Sequence, residues 1–171
     1  MIHFPKIETT RLYLRELTLL DADSVFDHFS DFEVTQFMDI EPCKERKEAE
    51  EIIQFHIDDT GCRYGLFNKL NHDLVGTCGF HCWSLEEPSK AEIGFDLSRK
   101  YWGKGLMHEA LIEVVKIGFN VMKLDLIEAI VEQKNVRSQR LLNRLKFLKH
   151  EGLKDNLFYY TLTKENAFSR C

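Results

Sequence analysis

Lys100-Tyr101-Trp102-Gly103-Lys104-Gly105-Leu106-Met107 ends one strand-like run and opens a strongly apolar helix. Two glycines stand where the chain must turn, and without a Cβ they let backbone N–H groups approach a ligand closely. The first turn of the helix that follows leaves several donors unpaired, with the positive end of the helix dipole behind them. This combination predicts an anion site and, as a first functional expectation, a phosphate-bearing ligand.

On the N-terminal side of this loop, Ile93, Phe95 and Leu97 alternate with Glu92, Gly94 and Asp96, which predicts a strand whose two faces differ in character. On the C-terminal side, Leu106, Met107, Ala110, Leu111, Val114, Val115, Ile117 and Gly118 leave only a narrow polar strip on the helix. Leu124 to Val131 is nearly continuously apolar, as expected of a strand covered on both sides. Asn135 opens a further helix carrying Leu141, Leu142 and Leu145, and Phe147-Leu148 and Leu157 to Leu162 supply the last two strands.

Earlier in the chain, Leu12, Leu14 and Leu17 predict a first strand, and Asp21 is placed to cap a helix with Ala22, Val25, Phe26 and Phe29 on its apolar face. A second amphipathic helix is expected around Ile52, Ile53, Phe55 and Ile57, ending at Gly61. Tyr64 to Phe67 and Leu74 to Phe80 then form a hairpin across the turn Asn68–Asp73. The order is strand, helices, three strands that look antiparallel, helix, strand, helix and a closing pair. That is a mixed α+β sheet.

The 171 residues, 44% of them hydrophobic, suit a single domain spanning 1–171. Twenty-eight acidic against 23 basic residues give a formal net charge of -5, which argues against nucleic-acid binding and sits more easily with a cationic substrate. Five cysteines, an odd number spread along the chain, read as reduced thiols and point to the cytoplasm. No apolar run approaches the ~18 residues of a membrane span. His81 lies between Cys78 and Cys82, but a lone C-x₃-C is a weak metal signal, so these are read as buried thiols and no metal is expected.

Two spacings are informative together. Lys100-x-x-Gly103-x-Gly105 follows a strand, flanked by Ala91-Glu92-Ile93-Gly94-Phe95 and by Glu109-Ala110-Leu111; Asn135-x-x-Ser138-x-x-Leu141 follows the next strand. In these motifs, and over roughly Glu8 to Thr163, the chain resembles the GNAT family of N-acetyltransferases, within it the branch that acetylates ribosomal-protein N-termini. Lys100 replaces the family's usual Arg or Gln, and Lys146 replaces a glycine before Phe147, which requires a non-glycine residue in a left-handed helix cap.

The resemblance implies a GNAT-like, mostly antiparallel central sheet of about seven strands, splayed between the fourth and fifth. It implies acetyl-CoA, with its pyrophosphate held by backbone N–H groups from Trp102 through Met107, that is Trp102, Gly103, Lys104, Gly105, Leu106 and Met107. The pantetheine arm would run beside Asp96 and Leu97, and Asn135 and Ser138 would complete the cofactor contacts. Glu92 is the candidate base, through water, and Ser138 the candidate for protonating or hydrogen-bonding the leaving thiolate. Each has a plainer alternative: Asn135 as a helix cap, Ser138 as a first-turn residue, Glu92 as a solvated strand carboxylate.

The expected acceptor is a primary amine, foremost the N-terminus of a protein. A small amine (polyamine, amino acid or aminoglycoside) and a non-catalytic acyl-CoA-binding module are the competing expectations. The third glycine of a dinucleotide fingerprint is missing, since His108 stands in its place, and no G-x-x-x-x-G-K-[ST] occurs. A monomer and a homodimer are both compatible with the sequence.

Overall fold

A computed structural model describes residues 4–59 and 61–169. Eight strands form one sheet: β1 (Ile7–Glu8), β2 (Leu12–Arg15), β3 (Cys62–Asn68), β4 (Leu74–Ser84), β5 (Lys90–Leu97), β6 (Leu126–Val131), β7 (Leu148–Lys149) and β8 (Phe158–Thr163). Their spatial order is β1-β2-β3-β4-β5-β6-β8-β7, and every pair is antiparallel except β5 with β6. The two-residue β1 accounts for the strand beyond the seven expected.

The helices are α1 (Ala22–Phe29), α2 (Phe32–Thr35), α3 (Arg46–Asp58), α4 (Leu106–Asn120), α5 (Val136–Arg144) and α6 (Lys164–Phe168). None of the described helices is long and apolar enough to cross a membrane. The main core joins α4 to one sheet face through Phe80, Ala91, Ile93, Leu111, Val114 and Ile127. A second core, built on Val25, Phe29, Ala49 and Ile53, packs α1 and α3 near the β3–β4 hairpin through Phe67 and Leu74.

Three expectations need correction. In α3 the buried face is Ala49 and Ile53, four residues apart, whereas Phe55 and Ile57 are 65% and 53% exposed. Phe55, two positions on from Ile53, points to another face, whereas Ile57 continues the row of Ala49 and Ile53 but lies in the last turn of α3 and stays exposed. Asp21 precedes α1 as expected, but its carboxylate accepts from the Thr18 N–H and the Arg15 guanidinium instead of capping that helix. β6 is covered on one face only: Ile127, Ala129 and Val131 are buried, while Leu126, Glu128 and Ile130 line a more open side.

The parallel pairing of β5 with β6 is short. Lys90, Ala91 and Glu92 register with Leu126, Ile127 and Glu128, and beyond Glu92 the two strands have no paired residues. The sheet therefore splays where the resemblance places the opening. From Ile93 to Leu97 the β6-facing edge of β5 has no strand partner among the described residues, so backbone N–H groups along it are open to a ligand, while the Leu97 carbonyl accepts from the Trp102 indole.

Candidate active site

The opening between β5 and β6 continues into a cleft of ≈ 390 Å³. Phe95, Asp96 and Leu97 of β5 line it, together with Trp102, Gly103, Gly105, Leu106 and Met107 of the loop and α4, and Asn135, Ser138 and Leu141 of the α5 region. The fold thus gathers both sequence motifs around one cavity. Gly103 and Gly105 have φ of 72° and 76°, the left-handed region that favours glycine. A Cβ on Gly103 would meet nothing within 4 Å, so this backbone borders open space.

The first backbone bond of α4 into the loop runs from the Glu109 N–H to the Gly105 carbonyl, at 3.0 Å. The N–H groups of Leu106 to His108 precede it and form the donor end of the helix. Trp102 differs from the expectation: its N–H already donates to the Arg99 carbonyl at 3.0 Å. Its indole Nε1 donates to the Leu97 carbonyl at 2.7 Å, so the residue offers the cleft a ring instead of a backbone donor. Lys104 lies outside the cleft, in an adjoining groove with Thr9, Arg11, Glu109 and Arg144.

The glycine loop is tied to the sheet by Arg11. Its Nη1 donates to the Lys104 carbonyl at 2.8 Å, while its backbone N–H and Nε each donate to Glu109 at 2.7 Å. Lys100 points away from the cleft to Asp73 at 2.9 Å, which explains why a lysine is accommodated at this position. Lys146 adopts φ 68°, the left-handed cap that the missing glycine required.

Asn135 caps α5: its side-chain oxygen accepts from the Ser138 N–H at 3.2 Å. Capping turns Ser138 toward the first turn, where it lines the cleft with Met107 and Leu141. The plain and the functional readings of Asn135 are therefore compatible. Two further walls of the cavity are built by residues that neither motif specifies. Arg137, Arg140 and Arg144 present one basic face of α5, readable from their spacing of three and four residues, and Arg137 stacks on the Trp102 ring. Glu33, Val34, Phe37 and Met38 close the cleft from α2 and the turn after it, and no local pattern marks them for that place.

Asp96 reaches the cleft at the edge of β5, but its carboxylate is buried on the opposite side from α4. Burial alone would raise its pKa; the hydrogen bond and charge of His28 and the charge of Arg63 outweigh that and hold it below the usual carboxylate range. His28 Nε2 lies 2.6 Å from one carboxylate oxygen, Arg63 Nη2 donates to the other at 2.9 Å, and Thr77 donates through both N–H and hydroxyl. His28 Nδ1 also meets Ser98 Oγ at 2.8 Å. These contacts tie α1 to the strand that leads into the glycine loop.

Glu92 does not line the cavity. It stands on the same sheet face as Asp96, at the point where β5 and β6 part, beside Glu128 in register and 3.3 Å from His81 Nε2. Glu128 accepts from the Tyr159 hydroxyl at 2.6 Å and from Lys90 at 3.2 Å, and these outweigh its burial to hold its pKa low. Tyr159 is in turn pushed up to about 12 by burial and by that carboxylate. Tyr160 packs fully into the core, so of the two adjacent tyrosines Tyr159 is the one on the polar side. Cys82 departs from the buried-thiol reading: Cys43, Cys62 and Cys78 are buried, but Cys82 is exposed, because β4 bulges there and φ is 51°.

The comparisons with known proteins bear on the family and the fold. A family model described as an acetyltransferase (GNAT) domain matches residues 11–148. The chain is 39% identical over 151 residues to an uncharacterized N-acetyltransferase, p20, of Bacillus licheniformis, covering 86% of this chain and 84% of the relative. It is 30% identical over 106 residues to the [ribosomal protein uS5]-alanine N-acetyltransferase of Escherichia coli, covering 62% and 55% of the two chains. A solved structure of a GNAT-family acetyltransferase from Bacillus anthracis superposes with a TM-score of 0.80 at 24% identity, over 94% of this chain and 99% of that one.

Proposed function

The chain belongs to the GNAT family of acetyltransferases, and from that premise we propose that it moves the acetyl group of acetyl-CoA to the N-terminal amine of a protein. The observation that supports this reading is the course of the splayed strands: β5 and β6 part beyond the Glu92–Glu128 pair, and further along β5 the residues Phe95 to Leu97 line the cleft beside the donor-rich glycine loop. One end suits a diphosphate, the other a cationic amine. The name of the Escherichia coli relative lends support to a protein N-terminus as the acceptor.

Acetyl-CoA supplies the activated thioester. The residues of this chain do the rest. N–H groups of Gly103 to Met107 hold the pyrophosphate, with the α5 arginines adding positive charge. The unpaired edge of β5 near Leu97 offers backbone donors to the thioester carbonyl, where negative charge develops during attack. Nucleophilic attack needs the neutral amine: at pH 7 an α-amine is ~10% neutral and a lysine side chain only ~0.04%. That difference favours an N-terminus. Glu92 takes the amine proton through water, and the Ser138 hydroxyl hydrogen-bonds the departing thiolate and relays to it a proton that solvent replaces.

The Glu92–Glu128 pair also suits a small polyamine, which makes that the second reading. Thiol release from acetyl-CoA tests catalysis directly. Wild-type protein turns over with an amine acceptor; Glu92→Gln and Ser138→Ala lower kcat about 100-fold, in the usual range of acid–base groups. Full activity in Glu92→Gln would remove it as the base, and tight acetyl-CoA binding without turnover on any amine would favour a binding module.

A further inference from the structure

We propose that His81, Cys82 and Glu92 form a binding site for a soft divalent cation of the zinc class, placed so that its occupation takes Glu92 out of acetyl transfer. One ligand atom from each residue lies within 4.8 Å of the others. Imidazole nitrogen, thiolate sulfur and carboxylate oxygen are the donors zinc accepts, and three protein ligands leave a fourth position for water.

The backbone is shaped for this convergence. In a regular strand His81 and Cys82, being adjacent, would point to opposite faces of the sheet. Here His81 pairs with Glu92 while the register shifts before Ser84 pairs with Lys90, and Cys82 occupies the left-handed region at φ 51°. The bulge brings consecutive side chains to one centre. Beneath them, Gly94 makes room: a Cβ there would come within 3.2 Å of His81 Cε1 and 2.9 Å of Arg63 Nη1. The ring is thus seated with Nε2 toward Glu92 at 3.3 Å.

Charge points the same way. The charged groups that act on the Cys82 thiol are the carboxylates Glu92, Asp59 and Glu128. Of the neighbouring cations, Arg63 is drawn to Asp96 and Lys90 to Glu128. As the metal–sulfur bond forms, the thiol proton leaves to solvent, and His81 binds as the neutral imidazole. Cys78, although three residues before His81, is buried and takes no part.

The inhibitory half of the proposal rests on Glu92 being the base; the site itself does not. Titrating the full chain with Co²⁺ should give a thiolate-to-cobalt charge-transfer band at one equivalent, abolished by added Zn²⁺. Cys82→Ser and His81→Ala, with folding checked by circular dichroism, should lose it. No band, or the same band in Cys82→Ser, would overturn the site. Zn²⁺ should lower the acetyl-transfer rate of the wild type but leave the ratio of rates with and without the ion near one in Cys82→Ser. Cobalt bound at Cys82 with acetyl transfer unaffected by zinc would keep the metal site and overturn Glu92 as the base.

Discussion

Arg11 grips both carboxylate oxygens of Glu109, through its backbone N–H and its Nε, each at 2.7 Å, and the same side chain holds the Lys104 carbonyl at 2.8 Å. One residue of the loop and strand at β2 thereby fixes the first turn of α4 and the glycine loop before it. Because the pair is partly exposed, removing it should cost little stability, on the order of 1 kcal/mol or less. Arg11→Ala should instead loosen the loop, raising KM for acetyl-CoA several-fold with kcat nearly unchanged. Steady-state kinetics alongside thermal melting separates the two effects.

Gly105→Glu places a bulky anion where the pyrophosphate is expected and forces a non-glycine residue to φ 76°. The affinity for acetyl-CoA should fall about tenfold or more, read by calorimetry, since the new charge opposes that of the phosphates. Gly105→Ala controls for the backbone. Its Cβ would meet only Arg11 Nη2, at 3.6 Å, so its cost is the left-handed strain alone, about 1 kcal/mol, and its loss of affinity should be smaller. Equal affinity in wild type and Gly105→Glu would refute the pyrophosphate assignment.

Asp96→Asn removes the one carboxylate that His28 and Arg63 share inside the protein. Breaking a buried pair by deleting one partner strands the other charge, so chemical denaturation should show a loss of about 3–5 kcal/mol. A change below 1 kcal/mol would mean that the network is not what anchors α1 to β5.

The donor end of this site is legible in the amino-acid sequence, because glycine spacing, helix start and strand alternation are local signals. That Asn135 and Ser138 line the same cleft as Gly103 and Gly105 is implied by the family resemblance and not by these local signals. The contacts among His28, Arg63, Thr77 and Asp96 are not legible there, since they join residues up to 68 positions apart and no period marks them. Trp102 shows another limit: its place beside the glycines suggests a free N–H, and only the short helical turn Arg99–Tyr101 reveals that this donor is spent. Cys82 escapes its expected burial because a bulge shifts side-chain parity without a sequence signature as plain as Gly or Pro.

His56 on α3 is depressed to about 4, first by burial and then by the charge of Arg63. Its folded value lies below the ordinary ~6.5, so the unfolded chain takes up a proton first as pH falls. The stability tied to the neutral ring is complete above pH ~6.5 and is lost progressively down to about 4, on the order of 3 kcal/mol at most. Unfolding free energies at pH 7 and 5 should therefore converge in His56→Gln, apart from the contribution of other groups, relative to the wild type. An identical pH dependence in both proteins would remove His56 from the account.

The central claim, acetyl transfer to an α-amine, is tested most directly by two peptides of one sequence. One has a free N-terminus and its lysine blocked; the other has a blocked N-terminus and its lysine free. Initial rates of acetylation, followed by intact mass with acetyl-CoA as donor, should be far higher for the first peptide, with the added acetyl group on the α-nitrogen. Acetylation of the lysine peptide alone, or of neither peptide while a polyamine is acetylated, would contradict the claim.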